Sequence, residues 1–175
     1  MKSNLSELQL KISYRTGRDD LVNDFYVPCL NRSVLYQRAV GYFTSTSLAV
    51  AASGIANLIH TGGKIQLIAS PELTIEDIEA IDKGQATNED IINQAANRSF
   101  TEIKDMLIKD RLEALAWMVS TGSLAVKLAL RVSKSGKLMS GIYHEKIGVF
   151  SDNYGNQVAF IGSGNETGSA LVDNF

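Results

Sequence analysis

The hydrophobic period of the chain changes several times, and each change marks an element. Arg38-Ala-Val-Gly-Tyr-Phe43 reads as a strand running into Thr44-Ser-Thr-Ser47, hydroxyl residues suited to cap the apolar helix that continues to about Ile59. Gly62-Gly63 breaks that helix, and Lys64-Ile-Gln-Leu-Ile-Ala69 alternates as a second strand. Ser70-Pro71 or Thr74 then opens a helix that Gly84 closes. Glu89 to Ser120 is the most helical stretch: Ile108, Leu112, Leu115 and Val119 form a stripe, Lys109 and Glu113 lie off it, and Gly122 supplies the stop. Trp117 is expected in the core. From Val126 the period becomes two, with Val126, Leu128, Leu130 and Val132 on one face of a half-buried strand and Lys127, Ala129 and Arg131 on the other. Ser133 to Gly141 turns the chain into a strand at Tyr143–Phe150, and Ser151–Gln157 is a turn-rich loop suited to a hairpin with Val158–Ile161. Helices alternating with strands early, then a run of strands late, predict an α/β fold with a mixed sheet flanked by helices.

Composition narrows the class. The 175 residues, 45% hydrophobic and 21% charged, suffice for a single domain with a buried core spanning 1–175. No apolar run is long enough to cross a bilayer, and the first residues lack the apolar centre of a signal peptide. Cys29 is the only cysteine, so an internal disulfide is impossible; a buried thiol in a reducing cytoplasm is expected. The net charge of −2 conceals an uneven distribution. Acids crowd the middle at Glu72, Glu76, Asp77, Glu79, Asp82, Glu89 and Asp90, whereas Lys127, Arg131, Lys134, Lys137 and Lys146 gather later with only Glu145 among them. That basic group is either a solvated face or one that meets phosphate.

Candidate chemistry sits in Tyr143-His-Glu-Lys-Ile-Gly-Val-Phe150 and Phe160-Ile-Gly-Ser-Gly-Asn-Glu-Thr167. Residues two apart on a strand share a face, so His144 and Lys146 project together. Pairing Phe150 with Val158 sets Lys146 opposite Gly162 and His144 opposite Gly164, which brings Ser163 and Asn165 beside them where a helix begins near Glu166. Glycine backbone, a helix N-terminus, an ammonium and a carboxamide suit a phosphate, and an imidazole is the group among them able to act as nucleophile, acid or base. Taken singly, each feature has a structural explanation: a strand histidine, a capping box at Ser163-x-x-Glu166, a glycine turn. His60 closes an apolar helix and is expected at the surface, and no His, Cys or carboxylate spacing indicates a metal or other cofactor.

His144-x-Lys146 followed by Gly162-Ser163-x-Asn165 resembles the His-x-Lys…Gly-Ser-x-Asn signature of the phospholipase D superfamily. Val40-Gly-Tyr-Phe-Thr44 and Gly162-Ser-Gly-Asn-Glu-Thr167 are similar to the phospholipase D-like domain at the N-terminus of certain bacterial DEAD/DEAH-type helicases and restriction-linked nucleases. The resemblance implies a phospholipase D-like sheet and a metal-independent phosphodiesterase or nuclease working through a phosphohistidine. His144 would be nucleophile or acid, Lys146 and Asn165 would hold the phosphoryl oxygens, and Ser163 would assist. Lys146, Gly162, Ser163, Gly164 and Asn165 would bind the phosphate.

One motif copy is present, so the resemblance implies either a homodimer that unites two histidines in one site or a further copy in a longer parent of which this is the N-terminal part. The Asp usual five residues after the Lys falls at Ser151, with Asp152 one place later. The expected partner is nucleic acid, DNA in the first instance, with no membrane involved. The alternative is a non-catalytic nucleic-acid-binding or dimerisation module that keeps the phosphate pocket.

Overall fold

A computed structural model describes residues 4–15, 17–41, 51–70, 117–139 and 143–162. After a 3-10 turn at Leu5–Glu7, a π-helical turn at Val22–Tyr26 runs into helix α1, Val27–Arg32. Strand β1 is Leu35–Val40, helix α2 is Ala52–His60, and strands β2 to β5 are Lys64–Ala69, Leu124–Leu128, Lys146–Ser151 and Gln157–Ile161. The Thr44–Ser47 cap, the helix expected up to Gly84, the stripe at Ile108, Leu112 and Leu115, and the residues Ser163, Gly164 and Asn165 lie outside the described residues.

The five strands form one sheet in the order β3-β2-β1-β4-β5. β1 pairs parallel with β2 and antiparallel with β4; β2 pairs parallel with β3, and β4 antiparallel with β5. This is the mixed α/β sheet that the order of elements predicts. Period-two alternation decides what is buried. Tyr36 and Val40 of β1, Ile65 and Leu67 of β2, and Phe150 of β4 lie on one face and join Cys29, Leu30, Ile55 and Leu58 of the two helices in a single core. Gly54 lets α2 approach α1 closely, since a Cβ there would sit 2.9 Å from the Leu30 side chain. An aromatic cluster closes the β4–β5 side, with Tyr36 stacked on Phe150 at 4.6 Å and Phe25 edge-on to Phe160 at 5.1 Å; such pairs add to the area they bury. Cys29 is buried as expected. Among the described residues no helix is long and apolar enough to cross a membrane.

Four expectations shift: first, the strand expected from Tyr143 begins only at Lys146, so His144 lies just before β4 and not within it. β1 begins and ends three residues earlier than Arg38–Phe43, because Val34 N–H bonds Ser151 and the ladder to β4 ends where Val40 meets Lys146. Trp117 is 55% exposed and Val119 is exposed too, whereas Met118, at 6%, turns inward. The stripe is out of phase here because residues 117–120 are the last turn of a helix locked by Thr121, whose hydroxyl donates to the Trp117 carbonyl at 2.9 Å before Gly122 reverses the chain. β3 starts and stops early and buries only Leu124. Val126 and Leu128 share its inward side but remain over a third exposed, since β3 is a sheet edge and the aromatic core lies toward β4 and β5.

Candidate active site

The winding of the sheet selects one place for a ligand. From β1 the chain proceeds outward through β2 to β3, then returns to β4 on the other side of β1. In open α/β sheets the crevice beyond the carboxyl ends of the strands, where such windings diverge, is where ligands bind. Here that crevice lies at Val40, the last residue of β1, which pairs with Lys146, the first of β4.

His144 and Lys146 meet there. Lys146 Nζ is 3.0 Å from His144 Nε2 and donates to the His144 carbonyl at 3.2 Å. An ammonium has only donors, so Nε2 is the acceptor and the ring proton resides on Nδ1. The Nε2 lone pair and the cation therefore occupy the same few ångströms. Lys146 is 8% exposed while His144 is open to solvent, an arrangement that buries the stem of the lysine and presents the imidazole. Of the three ammonium donors, the two bonds formed among the described residues both go to His144.

Glycines frame the pair on two sides. The sequence-predicted register is the one observed: Phe150 pairs with Val158, and the ladder continues to Gly162, whose N–H donates to the Lys146 carbonyl at 3.2 Å. On the other side stands Gly41. A Cβ at Gly41 would lie 2.6 Å from the Tyr143 carbonyl, 3.4 Å from His144 Cα and 3.5 Å from His144 Nδ1, so only glycine lets the end of β1 pass this close to the histidine.

One row further into the sheet, Arg38, Gly148 and Phe160 lie abreast on β1, β4 and β5. A side chain at Gly148 would run into the Phe160 ring, and the space left is crossed by Arg38, whose guanidinium carbon stands 4.9 Å over that ring. Arg38 is 4% exposed. A second cation is thus buried on the face that carries Lys146, one diagonal step away.

Sequence reading named His144, Lys146 and Gly162 as site candidates; it placed Gly41 in the Val40–Thr44 stretch and Arg38 in a strand without setting either beside them. A signal for Arg38 existed: in Leu35-Tyr-Gln-Arg-Ala-Val40 it falls in phase with Tyr36 and Val40, the inward positions. Asp152, one place beyond the expected Asp, lies at the far end of β4. Its carboxylate accepts from the N–H groups of Leu5 (2.9 Å), Tyr154 (2.8 Å) and Asn156 (2.9 Å) and from the Asn156 amide (2.9 Å). Burial alone would push its carboxyl up; the Asn156 amide and the three backbone donors outweigh that and hold it at about 2. It clamps the β4–β5 turn to the N-terminal segment and does not face the crevice. His60 ends α2 exposed, beside the start of β2 and so at the opposite end of the sheet from His144. Among the described residues no three His, Cys, Asp or Glu side chains gather as a metal would require.

No protein-family model matches the chain, and no curated protein matches it in sequence. Among solved structures the chain is similar to NucT from Helicobacter pylori, at 15% identity and a TM-score of 0.48, the match covering 87% of this chain and 72% of that one.

Proposed function

We propose that this domain is a metal-independent phosphodiesterase acting on nucleic acid, attached in a longer parent to a helicase or restriction system as the resemblance of its motifs implies. The observation that carries the reading is the His144 Nε2 to Lys146 Nζ separation of 3.0 Å at the switch point of the sheet. A phosphate whose phosphorus approaches Nε2 sets a non-bridging oxygen within reach of the ammonium, which stabilises charge as it grows.

In the first step the Lys146 ammonium turns from Nε2 to a phosphoryl oxygen, the freed Nε2 lone pair forms a bond to phosphorus, and the bond to the leaving oxygen breaks. A second imidazole supplies that oxygen with a proton. Water then attacks phosphorus, giving its proton to the second imidazole as the N–P bond breaks, which regenerates both histidines. Splitting one displacement into two is the benefit of a covalent nucleophile. His60 lies too far away to be the second imidazole, so His144 of a second copy fills that role in a two-fold homodimer. Ser163, Gly164 and Asn165, which follow Gly162 directly, complete the phosphate cradle in this reading.

The test is turnover of bis-p-nitrophenyl phosphate and of labelled oligonucleotides, with and without EDTA, by the protein and by His144→Asn. Turnover is expected to survive the chelator and to fall by about 10⁴-fold or more in the variant. Equal rates in the two proteins overturn the reading. Salt-sensitive oligonucleotide binding with no turnover in either leaves the non-catalytic binding module.

A further inference from the structure

From Ala114 to His144 the chain contains no Asp or Glu, yet it contains Lys127, Arg131, Lys134 and Lys137. The structure separates these four. Lys127 belongs to β3, in the row with Ile68 on the sheet face away from the core. The other three belong to a tight hairpin over residues 131–139, which bridges Val132 to Leu138. Ser133 N–H donates to the Lys137 carbonyl at 2.8 Å, Met139 N–H to the Arg131 carbonyl at 2.9 Å, and Lys137 N–H to Ser133 Oγ at 3.1 Å. Gly136, at φ 81°, closes the turn in the left-handed region that suits glycine.

Period two sorts the side chains of this hairpin. Leu138 is buried and fixes which side meets the body of the protein. Arg131, Ser133, Lys137 and Met139 occupy the other side, and Lys134 stands in the turn; all three cations are exposed. The hairpin is also tethered to the crevice. Met139 is five residues from His144, so the two are separated by at most about 18 Å of extended chain. A duplex carries a phosphate about every 3.4 Å along each strand, so that reach corresponds to about five phosphates. A small diester could engage His144 and Lys146 without approaching these cations, whereas a strand of several nucleotides is long enough to reach them.

We propose that the 131–139 hairpin is a backbone-gripping arm, in which Arg131, Lys134 and Lys137 hold phosphates of a polynucleotide a few nucleotides from the one at His144. The inference rests on the nuclease reading for its occupant. It makes the substrate a chain of several nucleotides bound through its backbone without regard to base sequence. Surface cations of this kind contribute through counterion release, which leaves a salt signature.

Oligonucleotide binding measured against salt in the triple variant R131Q/K134Q/K137Q and in the charge-conserving R131K/K134R/K137R tests it, with bis-p-nitrophenyl phosphate turnover as a separate arm. Loss of three phosphate contacts is expected to make the log–log salt slope shallower by about 2 for single strands and about 3 for duplex. The charge-conserving variant is expected to keep the original slope, and both are expected to keep the small-diester rate. An unchanged slope in the neutral variant, a shallower slope in both variants, or binding confined to anionic phospholipid vesicles overturns the arm. Because the small diester reports only on His144 and its neighbours, failure of the nuclease reading shows in that arm and failure of the hairpin in the slope.

Discussion

The two ends of β4 carry charged groups of opposite character. At one end the Asp152 carboxylate takes four hydrogen bonds, about all that its two oxygens accept. At the other end the Lys146 ammonium bonds, among the described residues, to a single neighbour, His144, and that neighbour faces solvent. A charge whose bonding capacity is filled by the protein fixes structure. A charge with a donor that no described residue takes up, buried along its stem and next to an exposed imidazole, is where we place the proposed phosphate contact. The charged groups at the two ends of one strand thus differ according to what satisfies them.

The largest effect should come from the crevice end. His144→Ala is expected to lower phosphodiester turnover by about 10⁴-fold while costing about 1 kcal/mol of stability, the worth of the one side-chain hydrogen bond it takes from Lys146. Lys146→Met should cost turnover about 10²- to 10³-fold, the range for removing one group that stabilises developing charge. Steady-state rates beside thermal melts check both, and a melt that moves as far as the rate would erase the contrast between the two ends.

Asp152→Ala sharpens the comparison from the other side. It strands one buried and two part-buried backbone donors and is expected to destabilise the fold by about 3 kcal/mol, a fall of about 6–12 °C in Tm for a chain of this size. At a temperature where the variant is folded, kcat should match that of the unaltered protein. A turnover defect in the folded variant would make Asp152 part of the site after all.

Much of this was legible in the sequence, and what was not has a common cause. Lys64–Ala69 alternates cleanly between Gly63 and Ser70, and the strand appears where it should. The β4–β5 register was legible because a short turn-rich loop leaves little choice of pairing and a one-residue slip would put Phe150 and Phe160 on opposite faces. Gly41 and Arg38 were not legible as site neighbours because β1 and β4 are paired across more than a hundred residues, and a local pattern does not say which strands become neighbours. The same limit hid the N-terminal segment: Leu5 is held by Asp152 at a separation of 147 residues. Trp117 failed differently, since periodicity read over a long helix does not fix the phase of its last turn.

Gly41→Ala probes how far the crevice depends on close approach. Its new methyl must displace the Tyr143 carbonyl, in the residue that leads into His144, and a misplacement of the imidazole approaching 1 Å costs up to about 10²-fold in rate. A fall of about 10- to 100-fold in kcat is expected, with KM for the small diester little changed. Crowding of this kind costs about 1–3 kcal/mol in stability, so the rate is compared at a temperature where both proteins are folded. A larger change in KM than in kcat would mean that Gly41 makes room for substrate and does not position the histidine.

The smallest effect is the acid response of the clamp. Asp152 has its carboxyl lowered from 3.8 to about 2 in the folded protein, so the unfolded chain takes up its proton first as pH falls. The stabilisation is therefore complete above about pH 5 and fades as pH drops through 4 toward 2, with about 1 kcal/mol gone by pH 3. Asp152→Asn lacks this titration, so its stability deficit relative to the unaltered protein should be constant from pH 8 to pH 5 and narrow below pH 4. Urea melts across that range measure the gap. A deficit that instead stays constant to pH 3 would mean that the carboxylate holds the turn by shape and not by charge, and the two ends of β4 would then differ less than their hydrogen bonds imply.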